Sequence, residues 1–192
     1  MQVRIRERAC VPHYEELHRE PCMMFGVFLA ALVVAAWWVC AIRPSRPRLP
    51  GVRADRVLVR KAARRLVLMR QGRVLKSYRM ALGGQPGRPK ECEGDQRTPE
   101  GKYVIDRRNP RSAFHLSLHI SYPDQADVSR AAERGVSPGG DVMIHGLRNG
   151  YGWLGPLHRL RDWTTGCIAV TNLEIEEIWN AVPDGTEIEI VP

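Results

Sequence analysis

The sequence predicts a mainly β, α+β domain of the sandwich-like kind with short helices, preceded by one N-terminal hydrophobic helix. Three observations predict it. Short alternating apolar runs, separated by Gly- and Pro-containing turns, recur between residues 54 and 192. Only two stretches of that region carry a helical period, 126–134 and 173–181. Residues 22–42 form an uninterrupted run of 21 residues without a charge. At 192 residues, the chain has room for one ordinary domain and an appendage, and two full cores are excluded.

In chain order, residues 1–21 are a mixed basic and acidic segment. The uncharged run 22–42 has the length of a bilayer-spanning helix, about 20 residues, and Trp37 and Trp38 suit an interfacial position near one end. A buried core helix would normally keep a polar face, which this run lacks. It is a transmembrane anchor or a signal segment. Val39-Cys40-Ala41 supplies small or modest residues of the kind a signal peptidase reads. Residues 43–53, with three prolines in 43–50, read as an extended Pro/Arg linker. The domain then runs over 54–192.

Within it, Val57–Val59, Arg65–Met69 and Val74–Tyr78 alternate as strands, the last two joined by a tight turn at Gln71-Gly72. Residues 83–97 hold four glycines and two prolines and read as a long exposed loop, closed by Thr98-Pro99-Glu100-Gly101. Strands are expected at Lys102–Asp106 and His115–Ile120, then a short helix over Ala126–Arg134 stopped by Gly135. Val142–Ile144 and Ile168–Val170 are buried-strand candidates, and 148–156 reads as loop between them. Thr171-x-x-Glu174 forms a capping box for a helix over Leu173–Ala181, with Ile175, Ile178 and Trp179 on one face. Glu187–Val191 is the last strand.

The net charge is 29 − 21 = +8, and ten Arg against five acids in residues 1–60 account for +5 of it. The domain's remaining basic residues are scattered among acids, which argues against a nucleic-acid-binding face. Three of five cysteines precede or lie in the apolar run, so no disulfide framework staples the domain. His115 and His119 on one strand stand about 13 Å apart, too far for one zinc ion. No metal and no cofactor are expected.

Two segments carry chemistry. Met143-Ile144-His145-Gly146 delivers a histidine from a buried strand, and Asp162-Trp163-Thr164-Thr165-Gly166-Cys167-Ile168-Ala169-Val170 presents a cysteine after a glycine. A thiol attacks carbonyls as thiolate, and an imidazole close by can take its proton. A glycine before the cysteine lets the backbone turn sharply and aim amides at a developing oxyanion, worth roughly 3–4 kcal/mol of barrier. Gly146, Thr164 and Thr165 are candidates for orienting the histidine or the oxyanion. From residue types alone, a cysteine at a strand start is usually a small buried hydrophobe and a histidine after a strand is usually only hydrogen-bonded.

The ordered set of Arg64-Arg65-Leu66-Val67-Leu68 with its hairpin, the glycine-rich loop closed at 98–101, Ile144-His145-Gly146 and Thr164-x-Gly166-Cys167-Ile168 resembles the L,D-transpeptidase catalytic domain of the YkuD type. It covers about the whole of 54–192. The resemblance implies Cys167 as nucleophile, His145 as base and the Gly166-Cys167 backbone near the oxyanion. It further implies a thioester on peptidoglycan stem peptides, diaminopimelate-containing ones as the expected class, with no cofactor. Many members have His where Thr165 stands and Arg or Asn where Ala169 stands; the Asp162–Val170 form resembles the YafK-like branch, part of which cleaves a protein–peptidoglycan amide. Cross-linking or protein attachment is the main expectation. The alternatives are an amidase or hydrolase of the same fold and an inactive wall-binding module. Arg97, Trp153 and Trp163 are candidates for substrate binding, against solvated-face and packing readings. A disulfide from Cys92 to Cys167 in an oxidising compartment would switch the nucleophile off. A wall substrate places the domain at the periplasmic face of the inner membrane or free in the periplasm. The seven basic residues from Arg43 to Lys61, against four Arg before residue 22, taken alone favour a cytoplasmic side.

Overall fold

The computed structural model describes residues 51–192. The expectations for 1–21, 22–42 and most of the linker 43–53 lie outside the described residues. Among the described residues, no helix is long and apolar enough to cross a membrane.

Eight strands form one sheet in the order β3-β2-β1-β8-β4-β5-β6-β7. β1 (Arg56–Arg60), β2 (Arg65–Arg70) and β3 (Arg73–Arg79) are an antiparallel meander. Alternation decides their faces: Val57, Val59, Leu66 and Leu68 are fully buried, while Arg56, Arg60, Arg65 and Arg70 are exposed. Gln71 and Gly72 both take positive φ, 52° and 75°, as a primed two-residue hairpin turn requires. The strand β8 (Glu187–Val191) inserts parallel to β1 and antiparallel to β4, central in the sheet.

The sheet turns its corner on β4 (Gly101–Ser112). Its first residues, 101–104, pair with β8, and the rest pair with β5 (His115–Ile120) across two register irregularities. Bulges bend a strand, and the two halves of the sheet share a single core. Val57, Leu66 and Tyr78 of one half belong to the same buried cluster as Ile105, Leu118, Ile144 and Ile168 of the other. The fold is therefore mainly β with short helices, as expected. α1 (Gln125–Glu133) starts at a capping box on Asp124. α2 (Asn172–Ala181) starts at the capping box Thr171/Glu174 and buries Ile175 and Ile178 in the core. β6 (Met143–His145) and the two-residue β7 (Ile168–Ala169) form the other edge, in parallel.

Four sequence expectations need correction. β4 continues six residues past Asp106, because a bulge lets it change partners instead of stopping. β7 ends before Val170, whose amide bonds the His145 carbonyl just beyond the strand. Residues 148–156 are not plain loop: two short 3-10 turns over Gly152–Leu160 meet at Gly155 (φ 47°, ψ −130°). The stretch 83–97 is a loop without regular structure, yet it is not simply exposed. The Asp95 carboxylate accepts the amides of Glu91, Cys92 and Arg97 and the Lys90 ammonium, which organises the loop about one buried charge. Beyond β3, Ala81 bridges Ala169 and Gly83 bridges Thr164. The chain leaving one edge of the sheet thus seals the other, beside the residues of interest.

Candidate active site

β6 and β7 run parallel with Ile144 opposite Ile168 and His145 opposite Ala169. Continuing the register by one places Cys167 beside Met143, on the same face as His145 and one diagonal step from it. Diagonal neighbours of this kind lie about 7–8 Å apart at Cα. The fold therefore brings together the two residues that the sequence separates by 22 positions.

His145 is buried. Its Nδ1 lies 2.7 Å from the Gly146 carbonyl oxygen. A carbonyl can only accept, so Nδ1 carries the proton and Nε2 keeps a free lone pair. Burial holds the imidazole below its ordinary value, with the Gly146 carbonyl opposing, so the ring is neutral near pH 7. Gly146 is fixed in turn: its amide reaches the Phe114 and Leu116 carbonyls, and a Cβ there would stand 2.9 Å from Asn172 Oδ1. Its amide is thus occupied, and its carbonyl is the part that orients His145.

The turn carrying Cys167 is held from three sides. Asp162 accepts the Leu82 amide (2.9 Å) and the Arg64 guanidinium (Nη2 at 2.8 Å). The Thr164 backbone pairs with Leu82 and Gly84. The buried Thr164 hydroxyl donates to the Cys167 carbonyl (2.7 Å) and accepts the Gly166 amide (3.2 Å). Gly166 has φ 139°, and a Cβ would sit 2.7 Å from the Arg97 carbonyl oxygen. Glycine is required there on both counts. The Cys167 amide has no hydrogen-bond partner among the described residues. Its thiol donates to the Asp141 carbonyl at 3.6 Å. Burial pushes the thiol above its ordinary value and the Asp141 carboxylate adds to this; the Met143 amide and the Lys90 charge pull the other way. The resting pair is accordingly a neutral thiol and a neutral imidazole.

An aromatic wall stands on His145. Phe114 packs at 4.7 Å between ring centroids and Trp163 at 5.8 Å edge-on, and the two stack on one another at 6.2 Å. Of the other sequence candidates, Thr165 is exposed. Trp153 is 76% exposed on the 3-10 segment. Arg97 approaches the site through its backbone at Gly166, while its guanidinium pairs with Glu91 at 3.0 Å. Cys92 and Cys167 are both free thiols. His115 and His119 are drawn apart, to Glu176 (2.7 Å) and Asp106 (2.6 Å).

A model of the L,D-transpeptidase catalytic domain matches residues 54–190. The chain belongs to the YkuD family of L,D-transpeptidase catalytic domains. The chain is similar to YafK of Escherichia coli K12, provisionally assigned as an L,D-transpeptidase and 30% identical over 115 residues. That match covers 58% of this chain and 39% of YafK. The helical cell shape determining protein Pgp2 of Campylobacter jejuni superposes with a TM-score of 0.55 at 25% identity, over 73% of this chain and 48% of its own. Bd1075 of Bdellovibrio bacteriovorus shares the fold at 22% identity, with a TM-score of 0.50 over 73% of this chain and 49% of its own. The chain thus spans about two fifths to half of the relatives it matches.

Several residues that build this candidate site escape a sequence reading. Lys61 is 2% exposed, and its ammonium bonds the Arg88 and Thr98 carbonyls (2.9 Å each) and Glu100 (2.8 Å), so it ties β1 to the loop beneath the turn. Asp162 ties the cysteine turn to Arg64 and to the Leu82 amide. In sequence both look like ordinary charged residues; only Asp162, preceding Trp163-Thr164-x-Gly166-Cys167, sits near a signal that could have marked it. Phe114 and His158 carry no local signal at all.

Proposed function

We propose that this chain is a cysteine-dependent acyltransferase acting on peptidoglycan stem peptides, with 54–192 as its catalytic domain, Cys167 as nucleophile and His145 as base. The observation that carries this reading is the fixed tautomer of His145, whose Nε2 lone pair is available on the same sheet face as the Cys167 turn. Membership of the L,D-transpeptidase family supports it, as does the likeness to Pgp2, described as determining helical cell shape.

In this mechanism the Cys167 thiol turns from the Asp141 carbonyl toward His145 and gives its proton to Nε2. The thiolate attacks the amide carbonyl on the L-centre of the third stem residue. The oxygen that becomes negative is received by the free Cys167 amide. Collapse breaks the C–N bond, and the imidazolium returns the proton to the departing amine, typically that of D-alanine. The thioester left on Cys167 is then resolved by an acceptor amine, from another stem or a wall-attached protein, or by water. Gly166 and Thr164 shape the turn, and Gly146 aims the base. Trp163 and Phe114 keep bulk water from it. No metal takes part in this scheme.

The substrate places the catalytic domain outside the inner membrane, with residues 22–42 as anchor or cleaved signal. Added protease should then reach the domain in spheroplasts and not in intact cells; protection in both would put it in the cytoplasm.

Incubating the protein with purified tetrapeptide muropeptides and identifying products by mass tests the reaction. D-alanine release with a new cross-link or attached amine is expected. D-alanine release with only a tripeptide product would mean hydrolysis. Binding without release would mean an inactive wall-binding module and would overturn the proposal.

A further inference from the structure

His158 lies on the 3-10 segment and is 8% exposed, yet nothing in the scheme above uses it. The Trp163 indole Nε1 stands 3.4 Å from His158 Nδ1, with the rings nearly perpendicular at 83°. An indole N–H can only donate, so Nδ1 accepts and the neutral imidazole carries its proton on Nε2. That Nε2 is buried and has no hydrogen-bond partner among the described residues. A buried, unmatched donor is destabilising by itself. A hydrocarbon side chain of similar volume would fill the space without it. What the imidazole adds is therefore its acceptor, directed at Trp163.

Trp163 in turn bears on His145. One hydrogen bond, from Nδ1 to the Gly146 carbonyl, fixes a point of the His145 ring but leaves it free to tilt about that bond. The flanking rings of Phe114 and Trp163 remove this freedom. Phe114 is half-buried and has no polar side-chain atom to anchor, whereas Trp163 is 37% exposed and carries an N–H by which it can be held.

We propose that His158 is a positioning residue: by accepting the Trp163 indole N–H it holds the indole as the wall that fixes the plane of His145 and keeps water from it. This rests on His145 acting as the base. The second histidine acts through the indole and touches neither the thiol nor the substrate. The ionisable and charged groups around His145 are Cys167 before β7, His158 with the Arg159–Glu174 pair beyond Trp163, and the His115–Glu176 pair beside Gly146.

The test compares His158→Leu, His158→Asn and Trp163→Phe in the full chain. Leucine removes the acceptor, asparagine places an oxygen where Nδ1 stood, and phenylalanine keeps a ring but removes the donor. Two readouts are taken: turnover of tetrapeptide muropeptides, and the His145 titration followed by NMR of the labelled imidazole. His158→Leu is expected to lower kcat about tenfold with KM little changed, as misaligned catalytic groups do. It should also move the His145 midpoint up toward that of a solvated imidazole. Trp163→Phe should act in the same direction, and the double variant His158→Leu/Trp163→Phe should be no worse than the poorer single one. His158→Asn should restore both readouts. An unmoved His145 titration in His158→Leu, or His158→Asn as impaired as His158→Leu, would overturn the proposal. Should His158→Leu fail to fold, Trp163→Phe decides by the same two readouts. A His145 midpoint that responds in a parent protein without turnover would refute the reaction assigned above while leaving the positioning role standing.

Discussion

Replacing Gly166 by alanine perturbs one point on which the whole turn depends. At φ 139° the backbone occupies a region that side chains rarely adopt, a strain of about 1–3 kcal/mol. The new Cβ would meet the Arg97 carbonyl oxygen at 2.7 Å, about 0.7 Å inside ordinary contact. Arg97 cannot easily yield, because its amide is held by Asp95 at 3.0 Å and the next carbonyl, of Thr98, is held by Lys61 at 2.9 Å. Cys167 must therefore move. Together the two effects should cost about 2–4 kcal/mol of stability, a fall in Tm of roughly 10 °C for a domain of this size. Displacing the nucleophile by most of an ångström should slow acylation by about 10- to 100-fold. Urea unfolding and the rate of Cys167 alkylation measure the two effects separately. Gly87→Ala is the control, with open space around its Cβ and no positive φ. Its stability should stay within about 0.5 kcal/mol of the parent. A Gly166→Ala protein as stable and as reactive as the parent would show that the turn does not have the shape described.

Lys61→Ala leaves two carbonyls and Glu100 without their ammonium partner, and should cost about 3 kcal/mol by urea unfolding and open residues 85–97 to proteolysis; unchanged protease resistance would contradict this. Acid should weaken the fold through its two buried histidines, His145 and His158. Burial first, and then the neighbouring Arg159 charge, lower the His158 value to about 4. His145 is lowered as well. The unfolded chain, with imidazoles near 6.5, therefore binds more protons than the folded one. Stability is complete above about pH 6.5 and is lost as pH falls toward 4; His158 alone should account for about 2 kcal/mol between pH 6.5 and 5. Urea midpoints across that window measure it, and His158→Leu should flatten the slope; an equally steep slope in that variant would refute the assignment.

Local chemistry was legible in the sequence wherever local rules govern. The β1–β3 meander follows from alternation, its turn from Gln71-Gly72, and α2 from the Thr171/Glu174 capping box, because each depends on residues within a few positions. The pairing of His145 with the Cys167 turn was legible from spacing only as a conjecture, and from the family resemblance as an expectation. What the sequence hid depends on long-range neighbours. Nothing near Asp106 reveals that β4 will exchange β8 for β5, and a two-residue β7 has too little pattern to bound. Lys61 reads as one more charge after a basic stretch until the fold surrounds it with carbonyls. Residues 148–156 read as loop because glycine and proline break any period there, yet the 3-10 segment Gly152–Leu160 that begins in them buries His158 against Trp163.

A covalent bond at one sulfur is the defining step of the proposed reaction. Intact-protein mass spectrometry after brief exposure to a tetrapeptide muropeptide should show the parent chain heavier by the substrate less D-alanine. The added mass should lie on Cys167, be released by hydroxylamine as a thioester is, and be absent in a folded Cys167→Ala variant. An unmodified Cys167 in a sample that nonetheless releases D-alanine, or the same adduct in Cys167→Ala, would contradict it.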